Sequence, residues 1–283
     1  MSERTGVPRA SGPVAAARTR LPDLRVVPSA ALRLHEECDP ERVARLARRL
    51  AADGVLRNPP VVAPLGGETY VVLDGANRVT ALQQVGAPHQ VVQVVDYDDP
   101  AVVLDVWAHL LPDDAGAVRA AGRWEPVSAD DLQAGLASGR LACGLVTRAG
   151  VFGMPGSPDL AGRIRAMHVV VATYKGRQTI YRVQPAALEA LAREYGRADA
   201  LVVFPRLSKA DVRAIADLPE KLPTGISRHV IPLRALRVNV DLALLRGPEG
   251  TADKQARLDE AIRARLLEHR VRLYPEPTVL YDE

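Results

Sequence analysis

Residues 71–86, Val-Val-Leu-Asp-Gly-Ala-Asn-Arg-Val-Thr-Ala-Leu-Gln-Gln-Val-Gly, constrain the fold more than any other stretch of the chain. Residues 70–73 form a short β-branched apolar run, Asp74-Gly75 is a turn signal, and Val79, Leu82 and Val85 recur at helical spacing until Gly86. The pattern predicts strand, tight turn, helix. A helix that starts directly after a glycine turn presents free backbone N–H groups and a positive dipole end, which suits an anion. Arg78 adds a cation there, and Asp74 a carboxylate able to hold a metal or a hydroxyl. An ordinary strand-to-helix connection with polar surface residues would give the same pattern, because one such turn is far short of a full phosphate-loop motif.

A second helix entrance lies upstream. Asp39 is a good N-cap, Pro40 fits the first helical position, and Val43, Leu46, Ala47 and Leu50 make one apolar face that stops at Asp53-Gly54. The polar cluster His35-Glu36-Glu37-Cys38 sits just before it. A purely structural role is open to Glu36 and Glu37 there, since acidic residues favour the positive helix end by about 0.3–1 kcal/mol. Extended segments are expected at 24–27, 32–34 and 91–95, with 61–63 and 70–73 joined as a hairpin through Gly66-Gly67. Residues 24–96 therefore read as a small α/β unit whose two helices both begin beside polar clusters, an arrangement that makes a cleft.

Residues 101–111 are predicted to form an amphipathic helix carrying Trp107 and His109, broken by Pro112, with a domain boundary near residue 112. Beyond it, 141–147, 166–172, 179–183 and 201–204 read as extended, 185–195, 208–218 and 252–269 as helical, and 271–281 as extended again. Between them, the loop Thr224-Gly225-Ile226-Ser227-Arg228-His229 gathers hydroxyls, a guanidinium and an imidazole, a set suited to a carboxylate or phosphate, though a solvated loop would also carry it. The organisation expected is an α/β (α+β) fold: a flexible tail at 1–20, a nucleotide-binding unit at 21–112, and a mixed α/β domain at 113–283.

Composition removes several function classes. Apolar residues make up 47% of the 283, enough for real cores, and the net charge of +3 is spread over interleaved Lys/Arg and Asp/Glu, which argues against a dedicated nucleic-acid surface. Cys38 and Cys143 match no metal spacing and point to a reduced, cytoplasmic protein without a disulfide. No apolar run approaches a membrane span, and neither a Gly-x-Ser-x-Gly elbow nor a zinc pattern is present.

Taken together, residues 24–109 resemble the ParB/sulfiredoxin-like superfamily. The order is strand, helix, Asn58-Pro59 before a strand, then Asp74-Gly75-Ala76-Asn77-Arg78 before a helix. With His35-Glu36, Val94-Val95-Asp96-Tyr97, Trp107, residues 224–229 and Ile231-Pro232, the chain is similar to the free L-serine kinase branch (SbnI/SerK-like), which includes SbnI-type proteins of siderophore loci. The resemblance implies phosphoryl transfer from ATP or ADP to the hydroxyl of free L-serine, giving O-phospho-L-serine, with Mg²⁺ carried mainly by the nucleotide phosphates. It implies Glu36 and Asp74 as catalytic carboxylates, Glu36 acting as base. Asp74, Gly75, Ala76, Asn77, Arg78 and Thr80 would bind nucleotide, and His35, Trp107, Thr224, Gly225, Ser227, Arg228 and His229 would bind serine, Arg228 gripping its carboxylate. Ala76 and Asn77 depart from the His-His pair common in that branch. A ParB-like nucleotide-dependent DNA-binding regulator is the alternative. The resemblance does not favour sulfiredoxin chemistry, which uses a cysteine in this turn where none is present.

Overall fold

The computed structural model describes residues 21–274, so the expected tail at 1–20 and most of the 271–281 strand lie outside the described residues. Residues 271–274 have no regular structure.

The first part contains β1 (Asp23–Pro28), β2 (Leu32–Leu34), α1 (Pro40–Asp53), β3 (Val55–Leu56), β4 (Val61–Gly66), β5 (Thr69–Asp74), α2 (Ala76–Gln84) and β6 (His89–Val94). Five of these strands form one sheet in the order β1-β6-β4-β5-β2. β4 and β5 are the antiparallel hairpin expected from Gly66-Gly67, whereas β2 runs parallel to β5 with Leu34 opposite Val72. That register decides where the site lies. Two residues beyond Leu34 stands Glu36, and two beyond Val72 stands Asp74, so both carboxylates leave the sheet at the same C-terminal edge, where open α/β sheets place their ligands. Asp39 caps α1 as expected, its side chain accepting from the N–H of Glu41 and of Arg42, and Gly54 ends the helix in the left-handed region.

The second part begins earlier than expected. Residues 101–111 form no helix: β7 (Val103–Val106) and β8 (Ala108–Leu111) are strands. Val102, Val103 and Val106 resist helix by branching at Cβ, and both strands find backbone partners far away in sequence, which outweighs an apolar spacing compatible with either state. The chain continues through α3 (Gly116–Ala120), β9 (Glu125–Pro126), α4 (Ala129–Ala137), β10 (Leu141–Thr147), β11 (Gly150–Pro155) and α5 (Leu160–Val171). It then runs through β12 (Tyr181–Val183), α6 (Leu188–Tyr195), β13 (Ala200–Val203) and α7 (Lys209–Asp217). Six strands make the second sheet, ordered β12-β8-β13-β10-β11-β9. The extended segment expected at 166–172 is instead the second half of α5. Asp159 caps that helix, and Ile164, Met167, Val170 and Val171 enter the core at helical spacing, so the β-branched run misled.

The last elements are β14 (Ser227–Val230), β15 (Val240–Asp241), α8 (Leu242–Arg246) and α9 (Thr251–Leu267). They return to the first part. β14 pairs with β7, β15 with β3, and Val238, Val240, Leu242, Leu245 and Leu258 share one buried cluster with Val26, Val43, Leu82 and Val91. Ile231 joins Val61, Val71 and Leu73 in another. No simple cut at residue 112 separates two cores: β8 already belongs to the second sheet, and residues 231–258 complete the hydrophobic core of the first.

Candidate active site

At the end of β5 the chain turns through Gly75 at φ +98°, and a Cβ there would lie 3.1 Å from the Cβ of Pro60 and 3.3 Å from Nε of Arg78. Only glycine fits this corner. α2 starts immediately after it with no side-chain cap, which leaves its first-turn N–H groups open to a ligand. Oδ2 of Asp74 accepts from Nη2 of Arg78 at 2.7 Å and from Nη2 of Arg234 at 2.5 Å, while Nη1 of Arg78 donates to the Asn58 carbonyl at 2.8 Å. Burial would raise the Asp74 carboxyl, but the two arginines outweigh it and hold it below its ordinary range.

Other members of the expected nucleotide turn are occupied elsewhere. Thr80 donates its hydroxyl back to the Ala76 carbonyl at 3.1 Å and touches Sγ of Cys38 at 3.0 Å. Oδ1 of Asn77 accepts from the N–H of Asp39 at 2.9 Å, which ties the two helix entrances together. Ala76 contributes backbone alone.

The acidic entrance is closed from the other half of the chain. His35 and Glu37 bond through their backbones to Leu222, with Glu36 in a parallel bridge to the same residue. Oε1 of Glu36 accepts from the N–H and the hydroxyl of Ser227, each at 2.6 Å, and Oε2 accepts from the N–H of Gly225 at 3.1 Å. Gly225 reaches this position at φ +86°. His35 is buried; its Nδ1 donates to the Val72 carbonyl at 2.7 Å, and its Nε2 lies 2.8 Å from the Ser227 hydroxyl. Burial lowers its pKa. A carbonyl only accepts, so Nδ1 carries the proton, and neutral His35 offers Ser227 an acceptor at Nε2. The single Ser227 hydrogen thus stands between two acceptors, Glu36 and His35.

His229 follows on the same face of β14. Its Nε2 meets the Tyr97 hydroxyl at 2.7 Å, and burial, with His35 nearby, lowers its pKa to about 3. Arg228, between them in the strand, projects the other way. Its guanidinium stacks 4.5 Å from the centre of the Trp107 ring and lies 3.8 Å from Asp105. The structure therefore brings His35, Glu36, Ser227, His229 and Gly225 together, and sets Trp107 with Arg228 on a separate wall. Thr224 serves the backbone, donating to the Glu37 carbonyl at 2.7 Å and accepting from Lys175 at 3.2 Å. A cavity of 490 Å³ lined by His109, Lys175, Arg182 and Thr224 opens beside it.

Three contributors escaped the sequence reading. His109 is buried, receives the Tyr174 hydroxyl at Nδ1 and donates from Nε2 to the Gly225 carbonyl at 3.0 Å, so it braces the loop that holds Glu36; burial lowers its pKa to about 4. Arg234 bonds to Asp74 at the glycine turn, and Gln93 bonds to the backbone on either side of Arg234. None of them had a local pattern to betray it. Among the described residues no group of three His, Cys, Asp or Glu gathers as a metal site, and both cysteines are free.

No family model matches the chain. The curated ATP-dependent L-serine kinase SbnI of Staphylococcus aureus is 25% identical over 226 residues, 79% of this chain and 84% of that protein. The solved structure of SbnI with a C-terminal truncation, from Staphylococcus aureus, superposes with a TM-score of 0.70 at 21% identity, covering 86% of this chain and 97% of that one. A free serine kinase in complex with AMP gives 0.69 at 19% identity, covering 80% and 95%. The mixed α/β fold is that of these proteins, and the resemblance drawn from the sequence holds in both sequence and architecture.

Proposed function

We propose that the chain is a free L-serine kinase of this SbnI-like branch, moving a phosphoryl group from ATP or ADP to the serine hydroxyl. The observation that carries the reading is the shared edge of β2 and β5. A carboxylate held by three donors stands at one helix entrance, and an uncapped helix N-terminus with Arg78 stands at the neighbouring one. The relatives named as serine kinases support it, and they favour it over a DNA-binding regulator.

In this reading the α2 N-terminus and Arg78 take the phosphates, where fixed donors stabilise charge that develops in transfer. Asp74 orients Arg78. Serine sits between the turn and Glu36. Glu36 accepts the hydroxyl proton as the serine oxygen bonds to the terminal phosphorus, and the bond from phosphorus to the bridging oxygen breaks, releasing ADP from ATP or AMP from ADP. Ser227 and Gly225 hold Glu36 in place, and His229 with His35 closes the same face. Arg228, expected from the sequence to grip the serine carboxylate, stacks on Trp107 on the separate wall, whereas Lys175 and Arg182 are the cations that line the cavity beside Thr224 and His109. Mg²⁺ fits an oxygen-only setting of phosphates, where it would neutralise their charge. Two free thiols and a nucleotide substrate suit a cytoplasmic protein, and among the described residues no helix is long and apolar enough to cross a membrane.

The test is to incubate the purified protein with Mg²⁺, L-serine and ATP or ADP in separate reactions and to follow phosphoserine by ³¹P NMR. Phosphoserine with at least one donor is expected. Nucleotide binding with no phosphoserine from either donor would overturn the kinase reading.

A further inference from the structure

The segment after β14 carries a second arginine into the phosphate turn. Gln93, buried in β6, fixes its course: the side-chain amide donates to the Leu233 carbonyl at 3.1 Å and accepts from the Ala235 N–H at 2.8 Å. Both backbone groups flanking Arg234 are therefore clamped, and the side chain between them is aimed at Asp74. Downstream, the N–H of Arg237 bonds to the Asn58 side chain at 2.8 Å and that of Asn239 to the Arg57 carbonyl at 3.2 Å, next to the strand that abuts the turn. Leu233, Arg237 and Asn239 all take positive φ near 50°. Non-glycine residues in that region cost conformational energy, and such strain persists only where surrounding contacts impose it.

The charge balance at the turn is not neutral. One carboxylate, Asp74, is shared through the same Oδ2 by Arg78 and Arg234, which leaves one positive charge uncompensated beside the helix N-terminus. Arg234 also has donors to spare. Its Nη2 is taken by Asp74, while Nε is shielded from solvent and has no acceptor among the described residues. A buried donor without an acceptor is unfavourable until a ligand supplies one. A phosphate is the group that matches a guanidinium fork beside a helix N-terminus.

We propose that Arg234 is a second nucleotide-binding arginine that contacts the β- and γ-phosphates. The assignment to the outer phosphates follows from charge: the turn carries one positive charge beyond what Asp74 balances, and the phosphates by which ADP and ATP exceed AMP are the groups that would neutralise it. Arg234 reaches the turn from the side of β4 and β6, where Gln93 clamps its flanking backbone, whereas Arg78 enters from within α2. The inference rests on the nucleotide reading of the turn, but not on serine turnover.

Calorimetric titration of wild type, Arg234→Met and Arg234→Lys with AMP, ADP and ATP, each with Mg²⁺, tests it. Arg234→Met should weaken ADP and ATP binding roughly tenfold or more and leave AMP within about twofold, as loss of charge-assisted phosphate bonds requires. Arg234→Lys, which keeps the charge without the fork, should fall between them and keeps the test open if the methionine variant folds poorly. Equal losses for all nucleotides would show that Arg234 acts only by supporting the turn, and unchanged ATP affinity would remove it from the site. Either result overturns the proposal. A wild type that binds nucleotide yet makes no phosphoserine would sink the kinase reading and leave this test intact.

Discussion

Replacing Glu36 separates its chemical role from its structural one. The carboxylate is the acceptor for the Gly225 N–H, the Ser227 N–H and the Ser227 hydroxyl. In Glu36→Ala water can enter and solvate these donors, so the folding cost is about 1 kcal/mol for each bond lost, roughly 3 kcal/mol at most. A domain with the usual reserve of about 5–15 kcal/mol stays folded after such a loss. The rate effect is of another size. A positioned general base contributes about 10²- to 10⁴-fold, or roughly 3–5 kcal/mol of barrier. To lower activity a hundredfold by unfolding alone, about 99% of the molecules would have to be unfolded, which circular dichroism would show directly. Glu36→Gln keeps the volume and leaves an oxygen for Ser227, but turns an NH₂ toward the Gly225 N–H, so it also loses some stability. Both variants should lose at least about a hundredfold in kcat for phosphoserine formation at saturating nucleotide while remaining folded. Glu37, half-exposed and 3.8 Å from His168 and 3.7 Å from Lys175, should tolerate alanine with kcat within about twofold, as surface pairs contribute little. Near-normal turnover by Glu36→Ala, or its abolition by Glu37→Ala, would refute the assignment of the base.

Gly225→Ala should be costly for its size, because φ +86° disfavours any Cβ and the Arg182 guanidinium would have to move aside; a loss of roughly 1–3 kcal/mol in urea unfolding is expected, together with a lower kcat as the Glu36 donor shifts. Acid should destabilise the fold before carboxylates titrate. His109, held neutral by burial with a pKa of about 4 against 6.5 when unfolded, contributes fully above pH 6.5, and that contribution is lost as pH falls toward 4, on the order of 2–3 kcal/mol by pH 4.5. Urea midpoints at pH 7 and 4.5 measure it, and a His109→Gln variant with the same acid sensitivity as wild type would show that other groups are responsible.

What could be read from the sequence depended on whether a signal was local. The turn at 74–78 and the cap at Asp39 are written in adjacent residues, and both were legible, as was the hairpin before the turn. Residues 101–111 and 166–172 were misread in opposite directions: at 101–111 strand partners distant in sequence outweighed an apolar spacing that suits either state, and at 166–172 a β-branched run masked a helix that Asp159 caps. Within 224–229 the residue types pointed to an anion, but strand alternation assigns them to different faces. Ser227 and His229 join Glu36 and Tyr97, while Arg228 turns to Trp107 and Asp105. Thr80 likewise matched a motif position but spends its hydroxyl inside its own helix. Arg234 and Gln93, separated by 140 residues or so from each other, carry no pattern that marks them as neighbours.

The two halves of the cleft cannot be assembled independently. Residues 222–240 bond to His35 and Glu37, supply all three donors to Glu36, pair with β7, bury Ile231 beside Leu73, place Arg234 on Asp74 and end in the core of the first sheet. One continuous strap therefore touches both the acidic entrance and the phosphate turn, seven residues apart along its length. A ligand that settles the strap at one end should limit its freedom at the other, so AMP is expected to bind more tightly when serine is present and serine more tightly when AMP is present, by the same factor, which calorimetric titration of each with and without the other measures. Asn77 is used to tie the helix entrances rather than to face a ligand, and the cation the turn gains comes from Arg234 rather than from the turn's own side chains.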